Sequence, residues 1–309
     1  MIEVQELTKR YGTAAAVDNL TFSALPGRVT GFLGPNGAGK STTMRMILAL
    51  VAPTHGTAFV NDRPYAGLRR PLREVGTLLD ANAVHGGRSA YDHLAWVARS
   101  NGIGRRRVTE VLTTTGLEAV ARKRIGQFSL GMKQRLGVAS ALLADPPVLI
   151  FDEPLNGLDT EGIRWLRNLL KSLAAEGRTV FYSSHLMSEM ALTADHLVVI
   201  GRGRLIADTT VADLVASGAQ GDVLIRSPQG SAAVGPLVAC GGIVTAEPDG
   251  GFAVVGLDPT TIAEIARAHG LTLTEITPRH PSLEEVFMQL TEDSVEYRTD
   301  APAKPGRRS

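Results

Sequence analysis

Short apolar runs separated by turn residues set the rhythm of the N-terminal part of this chain. Arg28 to Leu33 (RVTGFL), Val148 to Phe151 (VLIF) and Thr179 to Ser183 (TVFYS) show little polar alternation and predict buried strands. Thr42 to Leu50 (TTMRMILAL) is made of good helix formers and predicts a helix just after a glycine-rich turn. Met1 to about Thr77 reads as strands and turns around that helix. Arg88 to about Ala144 reads as helices punctuated by glycine and arginine.

From Asp213 the rhythm changes. VLIRS, SAAVGPLVA, IVTAE, a PDGG turn, FAVVGL, TTIAEIARA and LTLTEIT read as strand, helix, strand, turn, strand, helix and strand. That βαββαβ order predicts a small α+β, ferredoxin-like sandwich over about 213–295, closed by a short helix in PSLEEVFMQL, Pro281 to Leu290. The tail at 296–309, beginning at Glu296 (EYRTDAPAKPGRRS), lacks an apolar period and is rich in proline and charge, so disorder is expected there.

Composition bounds the remaining choices. With 309 residues, 44% hydrophobic, 20% charged and a net charge of +1, the chain has material for two globular domains with ample cores. No run approaches the roughly 18 apolar residues that span a bilayer. The opening MIEVQELTKRYG lacks the apolar stretch of a secretory signal, so a cytosolic chain is expected. The single cysteine, Cys240, excludes an intrachain disulfide and a zinc cluster of cysteines, and is expected to act as a small apolar residue. Arg69, Arg70, Arg73 and the run Arg105 to Arg107 read as solvated faces. No strongly basic tract suits a nucleic acid, and none is expected as a partner.

Chemistry enters at GPNGAGKST, Gly34 to Thr42. Gly34, Gly39, Lys40 and Ser41 fill the P-loop template, with Pro35, Asn36, Gly37, Ala38 and Thr42 completing the loop. Such a loop turns its backbone amides onto phosphates at a helix start. Lys40 is expected to reach the β- and γ-phosphates of ATP, and Ser41 to ligate Mg²⁺. The VLIF strand ends in Asp152 and Glu153, which puts two carboxylates at a strand's carboxyl end beside the loop. Asp152 is expected to hold Mg²⁺ through water. Glu153 is the candidate to polarise the attacking water, because hydrolysis needs a base within hydrogen-bond reach of it. Read alone, such a pair is also an ordinary helix N-cap.

In this order the motifs resemble the nucleotide-binding subunits of ABC transporters, over roughly residues 1 to 212. Ser129 and Gly131 match the serine and second glycine of the LSGGQ signature, while Phe128, Leu130 and Met132 depart from its other letters. Alone, the segment from Ser129 is a capped amphipathic helix. The resemblance implies a P-loop NTPase, an α/β fold with antiparallel β and helical subdomains, the latter at about 81–144. It implies that Tyr11 stacks on adenine with Val17 beside the ribose, that Asp159 crosses a homodimer interface, and that His185 holds the γ-phosphate. The position of the family's Mg²⁺-reaching glutamine is taken by Asp80, a shorter, charged oxygen donor, which predicts weaker γ-phosphate sensing. It further implies a separate integral membrane permease, peripheral attachment at the cytoplasmic face of the membrane, and, from the C-terminal PSLEEVF, likeness to exporters of the drug and bacitracin resistance type. Residues 213–295 are expected to form an accessory domain, a dimer brace or regulator, with small-ligand sensing as the alternative. The competing readings are a soluble ABC ATPase acting on ribosomes or nucleic acid and an unrelated P-loop kinase. The first usually carries two nucleotide domains or a long coiled coil; the second leaves Ser129, Asp159 and His185 unexplained.

Overall fold

The computed structural model describes residues 1–217, 221–279 and 283–291. These fall into two compact units, Met1–Thr210 and Val211–Leu290.

The first unit opens with two long antiparallel strands, β1 (Ile2–Tyr11) and β2 (Ala14–Ala24). Ile2, Val4 and Leu7 of β1 all reach the core, although the last two are three residues apart. The odd spacing is absorbed by a register shift between Val4 and Leu7, where Glu6 takes a φ of 48°. β3 (Val29–Leu33) leads through the glycine-rich loop into α1 (Lys40–Ile47). β4 (His55–Val60) pairs on the far side of β1 and completes a three-stranded antiparallel sheet.

The chain then makes α2 (Pro71–Glu74) and β5 (Val75–Leu78), and a helical stretch of α3 (Ala90–Ser100), α4 (Arg105–Thr114) and α5 (Leu130–Leu142). It returns through β6 (Val148–Phe151), α6 (Thr160–Ala175), β7 (Thr179–Ser184), α7 (Met187–Thr193), β8 (His196–Gly201) and β9 (Arg204–Thr210). The six-stranded sheet has the order β5-β6-β7-β3-β8-β9, with β9 alone antiparallel to its neighbour. β3, β6 and β7 are buried at every position. Parallel strands covered on both faces have no solvent side, which is why their sequences run apolar without alternating.

Three phenylalanines tie the two sheets together. Phe22 of β2, Phe32 of β3 and Phe181 of β7 stack with ring centroids 5.1 to 5.5 Å apart. Met44 and Ile47 of α1 join the same cluster, so the helix that follows the loop is anchored in the core. Each such buried side chain contributes about 1.5–3 kcal/mol relative to exposure. The helix differs from the Thr42–Leu50 expected: it starts at Lys40 and stops at Ile47. Ala49 turns into the left-handed region at φ 53°, which ends the helical path.

The second unit holds α8 (Val211–Ser217), β10 (Asp222–Arg226), α9 (Val234–Ala239), β11 (Ile243–Ala246), β12 (Phe252–Val255), α10 (Pro259–Ala268), β13 (Glu275–Arg279) and α11 (Leu283–Thr291). Its sheet is antiparallel throughout, in the order β11-β12-β10-β13, over a core of Val223, Ile225, Leu237, Val254 and Ile262. Two expectations shift here. The last strand begins at Glu275 rather than Leu271, because Gly270 (φ 64°) and the bond from Leu271 N–H to Ala266 O close α10 first. Cys240 is exposed rather than an apolar filler. The start of PSLEEVFMQL and the tail at 296–309 lie outside the described residues. Among those described, no helix is long and apolar enough to cross a membrane.

Candidate active site

The loop between β3 and α1 walls a cavity of about 210 Å³ lined by Ala16, Pro35 to Thr42 and Glu153. Gly39 holds a φ of 103°, and a Cβ there would stand 2.4 Å from the carbonyl oxygen of Ala16. Both the backbone and the space therefore require glycine. Lys40 opens α1 and folds back over the loop, only 7% exposed. Its Nζ donates to the carbonyl oxygens of Gly34 (2.6 Å) and Pro35 (3.2 Å) and lies 3.9 Å from Glu153 Oε1. Burial pulls the Lys40 ammonium below the usual lysine pKa, and the nearby Glu153 and Asp152 carboxylates oppose that pull. The first turn of α1 carries no acidic residue. Its free amides and dipole join Lys40 in favouring an anion.

Both carboxylates follow β6 directly. Asp152 is tied to the end of β5 by its N–H, which donates to Leu78 O at 2.7 Å. Its Oδ1 accepts a hydrogen bond from Ser183 Oγ at 2.6 Å, and the same hydroxyl oxygen accepts the N–H of Glu153 at 2.8 Å. Glu153 has a φ of 48°, a left-handed conformation that costs a non-glycine residue of order 1–3 kcal/mol. Its carbonyl accepts from the buried Gln134 Nε2 at 3.4 Å and from Asn156 N–H at 3.2 Å. Its Oε2 lies 2.8 Å from Nδ1 of His185, which follows β7 and is half exposed. The structure thus brings Glu153 to Lys40 and the loop, with Asp152 beside it in the chain and His185 on its other carboxylate oxygen; neither Asp152 nor His185 lines the cavity.

The remaining predicted residues are placed as follows. Ser41 and Thr42 line the cavity. Ser129 caps α5, accepting from Met132 N–H at 3.2 Å. Gly131 allows that helix to approach the chain after Asn156, since a Cβ would stand 2.8 Å from Gly157 O. Asp159 caps α6 and accepts from Gly162 N–H at 2.8 Å. None of these three lines the cavity. Tyr11 is half exposed at the end of β1, with Lys9 Nζ 5.1 Å from its ring centre. Asp80 is exposed in the turn after β5, its Oδ1 accepting from Asn82 N–H at 2.8 Å.

Val17 is buried in the core beneath the loop, its Cγ2 3.2 Å from where a Cβ on Gly39 would stand, while Ala16 lines the cavity. Ser183 and Gln134 were missed; their only signal is a polar residue inside a buried strand and a buried helix face. Arg69, Arg70 and Arg73 are exposed, as expected of solvated faces, and border a second cavity of about 400 Å³ with Ser100 to Gly102.

A sequence profile described as ABC transporter matches residues 17–156. One for a domain of unknown function matches 221–284, and one described as an AAA domain, putative AbiEii toxin of a type IV toxin–antitoxin system, matches 123–191. Bacitracin transport ATP-binding protein BcrA of Bacillus licheniformis is 41% identical over 211 residues, 67% of this chain and 69% of that protein. Nod factor export ATP-binding protein I of Burkholderia orbicola (strain AU 1054) is 34% identical over 296 residues, 94% of this chain and 96% of that protein. The dimeric, post-hydrolysis structure of the ATP-binding cassette MJ0796 with ADP and Pi superposes with a TM-score of 0.63 at 23% identity, covering 68% of this chain and 99% of that one. The chain belongs to the ATP-binding subunits of ABC transporters, which bind ATP and hydrolyse it to power transport.

Because Gly39 is fixed by both φ and contact, Gly39→Ala is expected to weaken binding of a fluorescent ATP analogue roughly tenfold or more, from strain of about 1–3 kcal/mol. Wild-type affinity in that variant would contradict the loop geometry.

Proposed function

We propose that the chain is the ATPase subunit of an exporter, working in pairs on the cytoplasmic face of the membrane beside a separate integral permease. The observation that carries this reading is a chain of contacts from the loop's buried Lys40 through Glu153 to His185, in a chain 41% identical to a bacitracin transport ATP-binding protein. The cargo would be a small molecule such as a drug, antibiotic or lipid; the names of the bacitracin and Nod factor relatives support that class. Pairing is supported by the dimeric form of the MJ0796 cassette bound to ADP and Pi. Ser129 opens a helix whose amides and dipole suit the γ-phosphate of an ATP held by a second copy. Asp159 would then lie at the interface, Tyr11 would stack on adenine, and no nucleic acid is required.

For Mg²⁺, the fit is tested by the donors present. Ser41 and Asp152 offer hard oxygens, with Asp80 as a third, and no cluster of three or more His, Cys, Asp or Glu among the described residues could hold a metal. That suits an ion bound through one or two carboxylates plus phosphate oxygens and water rather than by a protein cage. Ser41 and Asp152, with Asp80, would hold the ion, which would supply neutralisation of the charge that develops on the phosphates. Lys40 would exchange its carbonyl partners for phosphate, regaining the stabilisation that burial removes. Glu153 would accept the proton of the attacking water, and His185 would orient both Glu153 and the γ-phosphate. The second unit is read as a ferredoxin-like brace for the pair. Its antiparallel sheet order supports that fold, and residues 213–295 are its proposed extent, after a nucleotide-binding domain at 1–212.

Two variants test this. Glu153→Gln is expected to keep ATP bound, to sediment as a dimer with ATP, and to lose about 10²- to 10⁴-fold in turnover, the range of a general base. Normal turnover would reassign the base. Asp80→Gln is expected to keep or raise transport-coupled hydrolysis, by restoring the longer reach; a large fall would show that the aspartate has a role of its own.

A further inference from the structure

Ser183 is a polar residue with no exposed surface in a strand whose other positions are also buried. Most buried hydroxyls are hydrogen-bonded, and burying one without a partner is costly. Here both uses are assigned. The hydroxyl has one proton, which it donates to Asp152 Oδ1 at 2.6 Å, and a lone pair on the same oxygen accepts Glu153 N–H at 2.8 Å. The next residue, Ser184, accepts Leu186 N–H at 3.0 Å and so braces the turn that carries His185.

We propose that Ser183 is the positioning residue for the two carboxylates: it fixes the rotamer of Asp152, leaving its second oxygen free, and holds the Glu153 backbone in its left-handed conformation. The inference rests on the ATPase reading of Asp152 and Glu153 above. Glu153 needs such a hold, because φ 48° would otherwise relax toward ordinary space and carry the carboxylate away from His185 Nδ1, now 2.8 Å distant. Gln134 holds the carbonyl side of the same residue more weakly, at 3.4 Å. Ser183 touches neither phosphate nor water in this account; it acts through its neighbours, as outer-shell hydrogen-bond partners act on metal ligands.

The test uses the full chain with Ser183→Ala and Ser183→Thr. ATP affinity in EDTA, the Mg²⁺ concentration that half-saturates nucleotide binding, and kcat are measured for each. For alanine, metal-free ATP affinity should stay within about twofold, while the half-saturating Mg²⁺ rises and kcat falls, each by about 10- to 100-fold. Threonine keeps the Oγ and should recover at least tenfold of both losses. The proposal is overturned if alanine matches wild type in Mg²⁺ dependence, if it loses metal-free affinity in parallel with melting temperature, or if threonine is no better than alanine. A wild-type chain without turnover would sink the ATPase reading itself, and the two affinities still decide the role of Ser183.

Discussion

Everything at this site depends on the parallel pairing of β6, β7 and β3. In that register Phe151 lies opposite Tyr182 and Leu33 opposite Ser184, so the three strands end along one rim. A candidate site residue follows each strand directly: Gly34 opens the loop, Asp152 and Glu153 follow β6, and His185 follows β7. Open parallel sheets place their ligands at the carboxyl ends of strands because there the loops, free of pairing, can converge. The Phe22, Phe32 and Phe181 stack keeps those strands and the antiparallel sheet in one packed block. Dense packing of this kind turns a sequence position into a fixed point in space.

The rim is electrostatically tense. Lys40 is nearly buried and destabilised as an ammonium, held by two carbonyl oxygens and by a carboxylate 3.9 Å away. Glu153 carries a strained backbone while its two oxygens address Lys40 and His185. Such strain persists when the surroundings over-determine it. A phosphate entering between Lys40 and the start of α1 would relieve the lysine and free Glu153 from it, which would suit the proposed role of that carboxylate as the base. The link from burial to chemistry runs through one carboxylate with two competing cationic or hydrogen-bonding neighbours.

Much of this was legible in the sequence, for a physical reason. GPNGAGKST is contiguous, and its glycines are demanded locally by φ and by backbone contact at Gly39. Asp152, Glu153 and His185 were legible because each follows a buried apolar strand, and strand ends announce themselves. Ser183, Gln134 and Ala16 were not, since their roles come from neighbours 30, 19 and 23 residues away along the chain, Glu153 for the first two and Gly39 for the third. In the second unit the strand and helix order was visible, but the start of β13 was not: the close of α10 at Gly270 and Leu271 competes for the same residues.

The central claim is that this rim powers a membrane partner. The most direct measurement is to tag the chain in its native cells, trap it with ATP, solubilise the membranes gently and identify what copurifies. The account predicts one integral membrane protein in stoichiometric amount, whose presence changes the ATPase rate. Recovery of ribosomes or nucleic acid, or of the chain alone, would contradict it.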